Sequence, residues 1–395
     1  MSLVELAVAL TTASLALYGT MMALFVRGMV VRRKAGRPDI ERAPRVTILK
    51  PLAGRDDDLA ANLESFARLD YPSFEVLLGV ASVDDPAYRV ARRFVAQHPR
   101  LDARVVLTDR DAAYNPKIAQ LVGLERVATG DVYVISDSNV RVGPDYLWTI
   151  VAELRDPRVG MVCNLFAGTG ERTLGAALEN LQICCHAAPG LVATDAVTDR
   201  PATVGKSMAV RRRDLARLGG FSPVGHYLAE DHALGRRFLD AGFVARTSLE
   251  AVENRNVDCT MARTLERHTR WTKMRRSLSP LAFALEPIMT PALMAAVGVA
   301  LAPGKVTAGL LGATCVIQTA AALASVRVLR GHWLPWRYLP LELVRTAVMA
   351  FCWVRACGSR QIEWRGHTFT MQRGTVIVPI GATAERSSTR TRLAA

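Results

Sequence analysis

Short apolar strands alternating with helices between residues 45 and 278 predict an α/β, Rossmann-like fold with a largely parallel sheet. Apolar runs on either side predict a cytoplasmic domain with one N-terminal and two to three C-terminal membrane helices. Two features of the totals agree. Half of the residues are hydrophobic but only 6% are aromatic, and that apolar content is concentrated in long runs. The 50 Lys and Arg against 36 Asp and Glu leave a charge of +14, suited to an anionic bilayer face or a phosphorylated substrate.

From Leu3 to Val26 the sequence carries one acid, Glu5, and is otherwise apolar or small, which is enough to span a hydrocarbon core of roughly 30 Å. A secretory signal would place its cations first. Here Arg27, Arg32, Arg33, Lys34 and Arg37 follow the run, so the next domain is expected on the cytoplasmic side; the chain length and short loops are compatible with a bacterial inner membrane. The expected divisions are a transmembrane helix over 1–28, a basic linker over 29–44, and the α/β domain over 45–278. Membrane segments over 279–360 and a basic tail over 361–395, disordered from Thr383 onward, complete the chain.

Within the domain, strands are expected over 45–51, 74–81, 103–107, 132–136 and 205–210. Helices are expected over 56–69, 86–97, 116–128, 211–218 and 227–241. Asp84-Asp85 and Asp137-Ser138-Asn139 fall at the carboxyl ends of two strands, where sheets of this class bind ligands. Turn and helix-cap roles explain either aspartate taken alone. The sequence carries no Gly-rich phosphate loop, so a metal and basic side chains would have to hold a phosphorylated ligand. Lys117 is a candidate, since the helix it begins would point its N-terminus at the same rim.

Residues 156–204 alternate less clearly and are assigned to an acceptor side, with Cys184-Cys185-His186 read as core. The seven cysteines show no zinc-type spacing and read as buried thiols. Glu230-Asp231 opens a helix, and about forty residues on stands Arg267-His268-Thr269-Arg270-Trp271. A carboxylate that takes a proton, beside cations and an indole that hold a phosphorylated donor, suits group transfer from a nucleotide sugar. Beyond it, 281–302 is broken by Pro287 and Pro291 and suggests a kinked or re-entrant segment. Residues 306–326 form a cleaner span and 340–357 a shorter third.

Taken in order, Leu49-Lys50-Pro51-Leu52, Asp70-Tyr71-Pro72, Asp84-Asp85-Pro86-Ala87, Asn115-Pro116-Lys117-Ile118, Asp137-Ser138, Leu228-Ala229-Glu230-Asp231 and Arg267-His268-Thr269-Arg270-Trp271 resemble the ceramide glucosyltransferase family. Trp364-Arg365-Gly366 resembles that family's tail. The resemblance implies a GT-A fold and inverting transfer of glucose from UDP-glucose to the primary hydroxyl of ceramide. By it Asp85 would hold the uridine, Asp137 a divalent cation (Mg or Mn) with the diphosphate, and Asp231 would be the base. Arg267, Arg270 and Trp271 would brace the donor diphosphate and the acceptor site, with Lys117 beside the donor and Asp84, Ser138 and Glu230 in support. Asp137-Ser138-Asn139 departs from the wider D-x-D pattern by lacking its second acid.

Three rival readings frame these expectations. A hopanoid glycosyltransferase shares the three aspartates but takes another lipid. A processive polysaccharide synthase shares the Arg-x-x-Arg-Trp cluster, yet three or four membrane segments are thin for a polymer channel. A non-catalytic, membrane-anchored binding module explains the charge but not the placement of the acids. Nucleic acid is not expected as a partner, because the arginines lack interleaved aromatics.

Overall fold

The structure is a computed structural model that describes residues 2–35, 37–38, 42–54, 56–198, 203–364 and 367–380. Arg365, Gly366 and the tail from Thr383 lie outside the described residues. The chain opens with α1 (Leu3–Ala35), β1 (Val46–Leu52), α2 (Leu59–Ala67), β2 (Phe74–Val80), α3 (Pro86–Gln97), β3 (Ala103–Leu107), α4 (Pro116–Glu125) and β4 (Val132–Ser136). Next come β5 (Val140–Arg141), α5 (Tyr146–Glu153), β6 (Val159–Thr169), α6 (Leu174–Gln182), α7 (Ala188–Val197), β7 (Ser207–Arg211), α8 (Arg212–Arg217), α9 (Glu230–Asp240), β8 (Val244–Arg255) and α10 (Met261–Leu278). The last elements are α11 (Pro280–Leu285), α12 (Pro291–Leu301), α13 (Lys305–Arg330), α14 (Leu341–Gly358), β9 (Gln361–Trp364), β10 (His367–Met371) and β11 (Ile377–Pro379).

The main sheet runs β3-β2-β1-β4-β7-β6-β8-β5. Its first four strands are parallel, as the alternation with helices requires. Every residue of β1 is buried, Lys50 included, as befits a central strand covered on both faces. The sheet then reverses: β7 is antiparallel to both β4 and β6, while β6 and β8 pair in parallel. The expectation of a largely parallel sheet therefore holds for one half only. β6 and β8 fall outside the strands expected from sequence: Gly160 and Asn164 interrupt the apolar run of β6, and Arg246, Glu250 and Glu253 that of β8.

This topology sets the site. The carboxyl ends of β1 and β4 meet the amino end of antiparallel β7 at one rim, so Pro51, Asp137 and Lys206 converge from three strands. Apolar clusters lie on the two sides of the sheet, one of them reaching α1 through Tyr18, Met21, Phe25 and Met29.

Among the described residues two helices are long and apolar enough to cross a membrane, residues 3–34 and 305–330. The proline-interrupted stretch folds as 280–289 and 291–301, bent by 80° at the break, in keeping with the expected re-entrant or broken shape. The third expected span is α14, which is helical but carries Glu342 and Arg345 as a buried ion pair (2.6 Å). That pair turns one face of α14 inward, where Gln318 of α13 donates to Glu342 at 2.8 Å. Helix α1 also outruns its expected limit, since the first part of the supposed linker, 29–35, is helical. Its final turns lie on the α/β domain: Gly28 sits so close to Val192 of α7 that a Cβ there would stand 2.8 Å from it, and Arg32 pairs with Glu250 of β8 at 2.9 Å. The tail folds too, with β9, β10 and β11 forming a separate antiparallel sheet. Of the seven cysteines, Cys315 is only partly buried and Cys357 is exposed, against the expectation of buried thiols throughout.

Candidate active site

A cavity of about 570 Å³ opens at the convergent rim, between the strand ends, α9 and α10. Asp137, Ser138, Lys117, Glu230, Asp231, Arg267, Arg270 and Trp271 all line it. Local chemistry explains how they reach one place. Asn115 caps α4, its side-chain oxygen accepting from the N–H groups of Lys117 (2.9 Å) and Ile118 (3.3 Å), with Pro116 at the first helical position. The amide nitrogen of Asn115 donates to the Tyr227 carbonyl (2.9 Å) and to Glu230 (3.2 Å). One cap thus aims Lys117 into the rim and ties α4 to the start of α9.

Lys117 is the hub of the charges. Its ammonium lies 2.8 Å from Asp137, 3.0 Å from Glu230 and 3.0 Å from the Gly205 carbonyl. Burial opposes its charge, but Asp137 and Glu230 more than offset this and hold it firmly protonated. Lys206 approaches the other oxygen of Asp137 at 3.3 Å. Burial would raise the Asp137 carboxyl, yet the two lysines keep it below the ordinary aspartate range.

Asp231 differs. Desolvation, and then the charge of Glu230, push its pKa up to about 6, against the pull of Lys117. Its oxygens accept from the N–H groups of Gly205 (2.6 Å) and His232 (2.7 Å). Gly205 is confined, for a Cβ there would meet Asp231 and the Lys117 ammonium at 3.1 Å. Two carboxylates in one cavity are thereby set apart: Asp137 is neutralised by two lysines, while Asp231 stays poised to take a proton.

On the facing wall, α10 presents Arg263, Arg267, Arg270, Trp271 and Met274 to the cavity. Arg267 forms an ion pair with Glu179 of α6, a side chain only 1% exposed, and donates to Asn256 at 3.3 Å. Arg270 pairs with Glu266 at 3.6 Å, and Trp271 packs edge-on against His268.

Asp84 and Asp85 stand apart from this group. Asp85 caps α3 through the Ala87 N–H (2.9 Å), and the same oxygen accepts from the Gly54 N–H (2.8 Å). It therefore braces the loop after β1 that carries Asp56 to the cavity, and does not itself line it. Asp84 is exposed, its N–H bonded to Ser82. Ser138 lines the cavity and donates to Asp56. Sequence reasoning gave no site role to Lys206, Gly205, Asp56, Asn115 or Lys50, although Asn115 and Lys50 stand within two of the quoted motifs. Lys50 had a visible signal, a lysine inside an apolar strand. It is fully buried under the site, donating to the Asp137 carbonyl at 2.9 Å and to Ser136 at 3.2 Å, with the Phe66 ring 4.0 Å away.

Among the described residues no group of three or more His, Cys, Asp or Glu side chains could enclose a metal ion. Each Asp137 oxygen faces a lysine ammonium, Lys117 at 2.8 Å and Lys206 at 3.3 Å, so a cation that this carboxylate shared with substrate phosphates and water would have to displace one of them.

Comparison with known proteins identifies the family and the fold. The model of glycosyl transferase family 21 matches residues 10–377. Ceramide glucosyltransferase 1 of Caenorhabditis elegans is 25% identical over 339 residues, covering 84% of this chain and 72% of that protein. Ceramide glucosyltransferase 3 of the same organism is 24% identical over 346 residues, covering 85% and 74%. Among solved structures, a mannosyltransferase of Pyrobaculum calidifontis in complex with GDP-Man and Mn2+ superposes with a TM-score of 0.52 at 21% identity, covering 90% of this chain and 99% of that one. That likeness establishes the GT-A fold. The family model spans the domain, α1 and the membrane helices alike, and the chain is a glycosyltransferase that belongs to glycosyl transferase family 21.

Proposed function

We propose that this enzyme transfers glucose from UDP-glucose, with inversion, to the primary hydroxyl of ceramide or a similar sphingolipid at the cytoplasmic face of a bacterial inner membrane. The observation that carries the reading is the contrast within one cavity: a carboxylate of raised pKa, Asp231, shares it with a lysine-clamped Asp137 and the Arg267, Arg270 and Trp271 wall. The names of the relatives support the choice of lipid and sugar.

In this mechanism Asp231 accepts the acceptor hydroxyl proton as that oxygen attacks the anomeric carbon from the face opposite UDP. The new C–O bond forms as the bond to the β-phosphate oxygen breaks, and the electron pair leaves with UDP. Lys117, Lys206, Arg267 and Arg270 supply fixed positive charge where the leaving diphosphate gathers negative charge. A divalent cation, held by Asp137 together with the diphosphate, would neutralise the donor further; the Mn2+ of the mannosyltransferase supports its inclusion. Asp85 serves the nucleotide indirectly, by bracing the loop after β1. The catalytic unit is residues 45–278, with the cations that close α1, Arg32, Arg33 and Lys34, favouring its cytoplasmic placement.

A UDP-release assay on the purified chain tests this, crossing UDP-glucose, UDP-galactose, UDP-glucuronate and UDP-N-acetylglucosamine with ceramide, diacylglycerol and a hopanoid alcohol, with and without divalent metal. Release with UDP-glucose that requires ceramide is the expected result. Release that requires the hopanoid instead would reassign the acceptor, and release with another sugar would reassign the donor.

A further inference from the structure

The small C-terminal sheet sits where the two walls of the cavity meet. On one side it holds the segment that leads into Asp231. The Leu228 N–H donates to the Thr375 carbonyl (2.9 Å), the Ala229 N–H donates to the Thr375 hydroxyl (3.3 Å), and the Ile377 N–H donates to the His226 carbonyl (2.9 Å). Tyr227 and Val376 form an antiparallel bridge between them. On the other side it holds α10. Ser277 accepts from the Thr375 N–H (3.3 Å) and donates to the Gln372 carbonyl (3.0 Å), while Lys273 donates to the Gln361 carbonyl (2.8 Å). Leu228, Ile362, Phe369, Met371 and Ile377 form one apolar cluster with Met274 of α10 packed against it, and Leu228 and Met274 also line the cavity.

Thr375 joins these two sets of bonds. It is fully buried and adopts a left-handed backbone (φ 68°), a conformation unfavourable for a β-branched residue and kept only where its surroundings over-determine it. Its carbonyl and hydroxyl reach the peptides two and three residues before Asp231, and its N–H reaches the helix that carries Arg270 and Trp271.

We infer that Thr375 is a positioning residue for catalysis: through its carbonyl and hydroxyl the C-terminal sheet sets Asp231 at a fixed distance from the donor-binding face of α10. This rests on the assignment of Asp231 as the base. Misplacement of a base by a fraction of an ångström affects the chemical step far more than donor binding.

The test is a double-mutant cycle on the full-length enzyme. Thr375→Val removes the hydroxyl and keeps the branched shape, and it should lower kcat by about tenfold to a hundredfold while the donor KM moves less than about threefold. Thr375→Ser, which retains the hydroxyl, should restore most of kcat. In an Asp231→Asn background Thr375→Val should cost little more, because the group it positions is gone. An unchanged kcat in Thr375→Val, or the same fold loss in both backgrounds, overturns the inference. Should Thr375→Val not fold, Ser277→Ala cuts the link from α10 alone, and a kcat equal to that of the parent enzyme overturns the inference equally. If Asp231→Asn turns over normally, the base assignment fails first and is recognised as the separate failure.

Discussion

At the scale of single residues, the cavity separates its carboxylates by their neighbours. Asp137 has two lysines within 3.3 Å, whereas Asp231 has backbone N–H groups and the like charge of Glu230. Turnover requires Asp231 ionised, so kcat should rise with pH through about 6 and level off above it. Glu230→Gln removes a charge that raises the Asp231 pKa, so the rise should move to lower pH. A pH-rate profile that leaves the inflection in place would detach it from Asp231. Asp231→Asn should lower kcat by about 10²- to 10⁴-fold with donor binding retained, as read by turnover and nucleotide titration. Asp137 and Asp231 were legible in the sequence because one follows a short, continuously apolar strand and the other opens an amphipathic helix. Lys206 and Gly205 were not, since their importance comes from β7 running antiparallel and bringing its amino end to the same rim.

At the scale of elements, α10 shows that one motif holds two kinds of residue. Arg267 is anchored in the buried Glu179 of α6, while Arg270 and Trp271 face the cavity with Glu266 and His268 beside them. Arg267→Ala should strand a buried carboxylate and destabilise the fold by about 3–5 kcal/mol, measured as a lowered unfolding midpoint. Arg267→Met combined with Glu179→Leu should recover much of that stability. If activity returns along with stability, Arg267 acts only as an anchor; if it does not, Arg267 also contacts the donor. The sequence displayed the motif plainly, but α6 lay in the stretch of 156–204 where no pattern could be read, so the partner stayed hidden. Membrane helices were legible from apolar length alone. The folding of β9, β10 and β11 was not, because these short strands derive stability from Leu228 and Met274, distant in sequence.

At the scale of the molecule, the cavity is joined to the membrane segments at both ends, by α1 ahead of the domain and by α10 running into α11 behind it. Gly28 allows α1 to lie against α7, and Gly28→Val should force them apart at a cost of about 1–3 kcal/mol. UDP-sugar binding in detergent should persist in that variant, while transfer to lipid in vesicles falls. Equal loss of both would show that α1 stabilises the domain without orienting it. At 33 residues α1 is about 50 Å long, whereas a hydrocarbon core is about 30 Å thick. On the proposed placement, the surplus is a rigid post that sets the altitude of the cavity above the bilayer. An acceptor is then chosen by how high its hydroxyl can rise from the headgroup plane, and acyl chains that never leave the bilayer are left out of the choice.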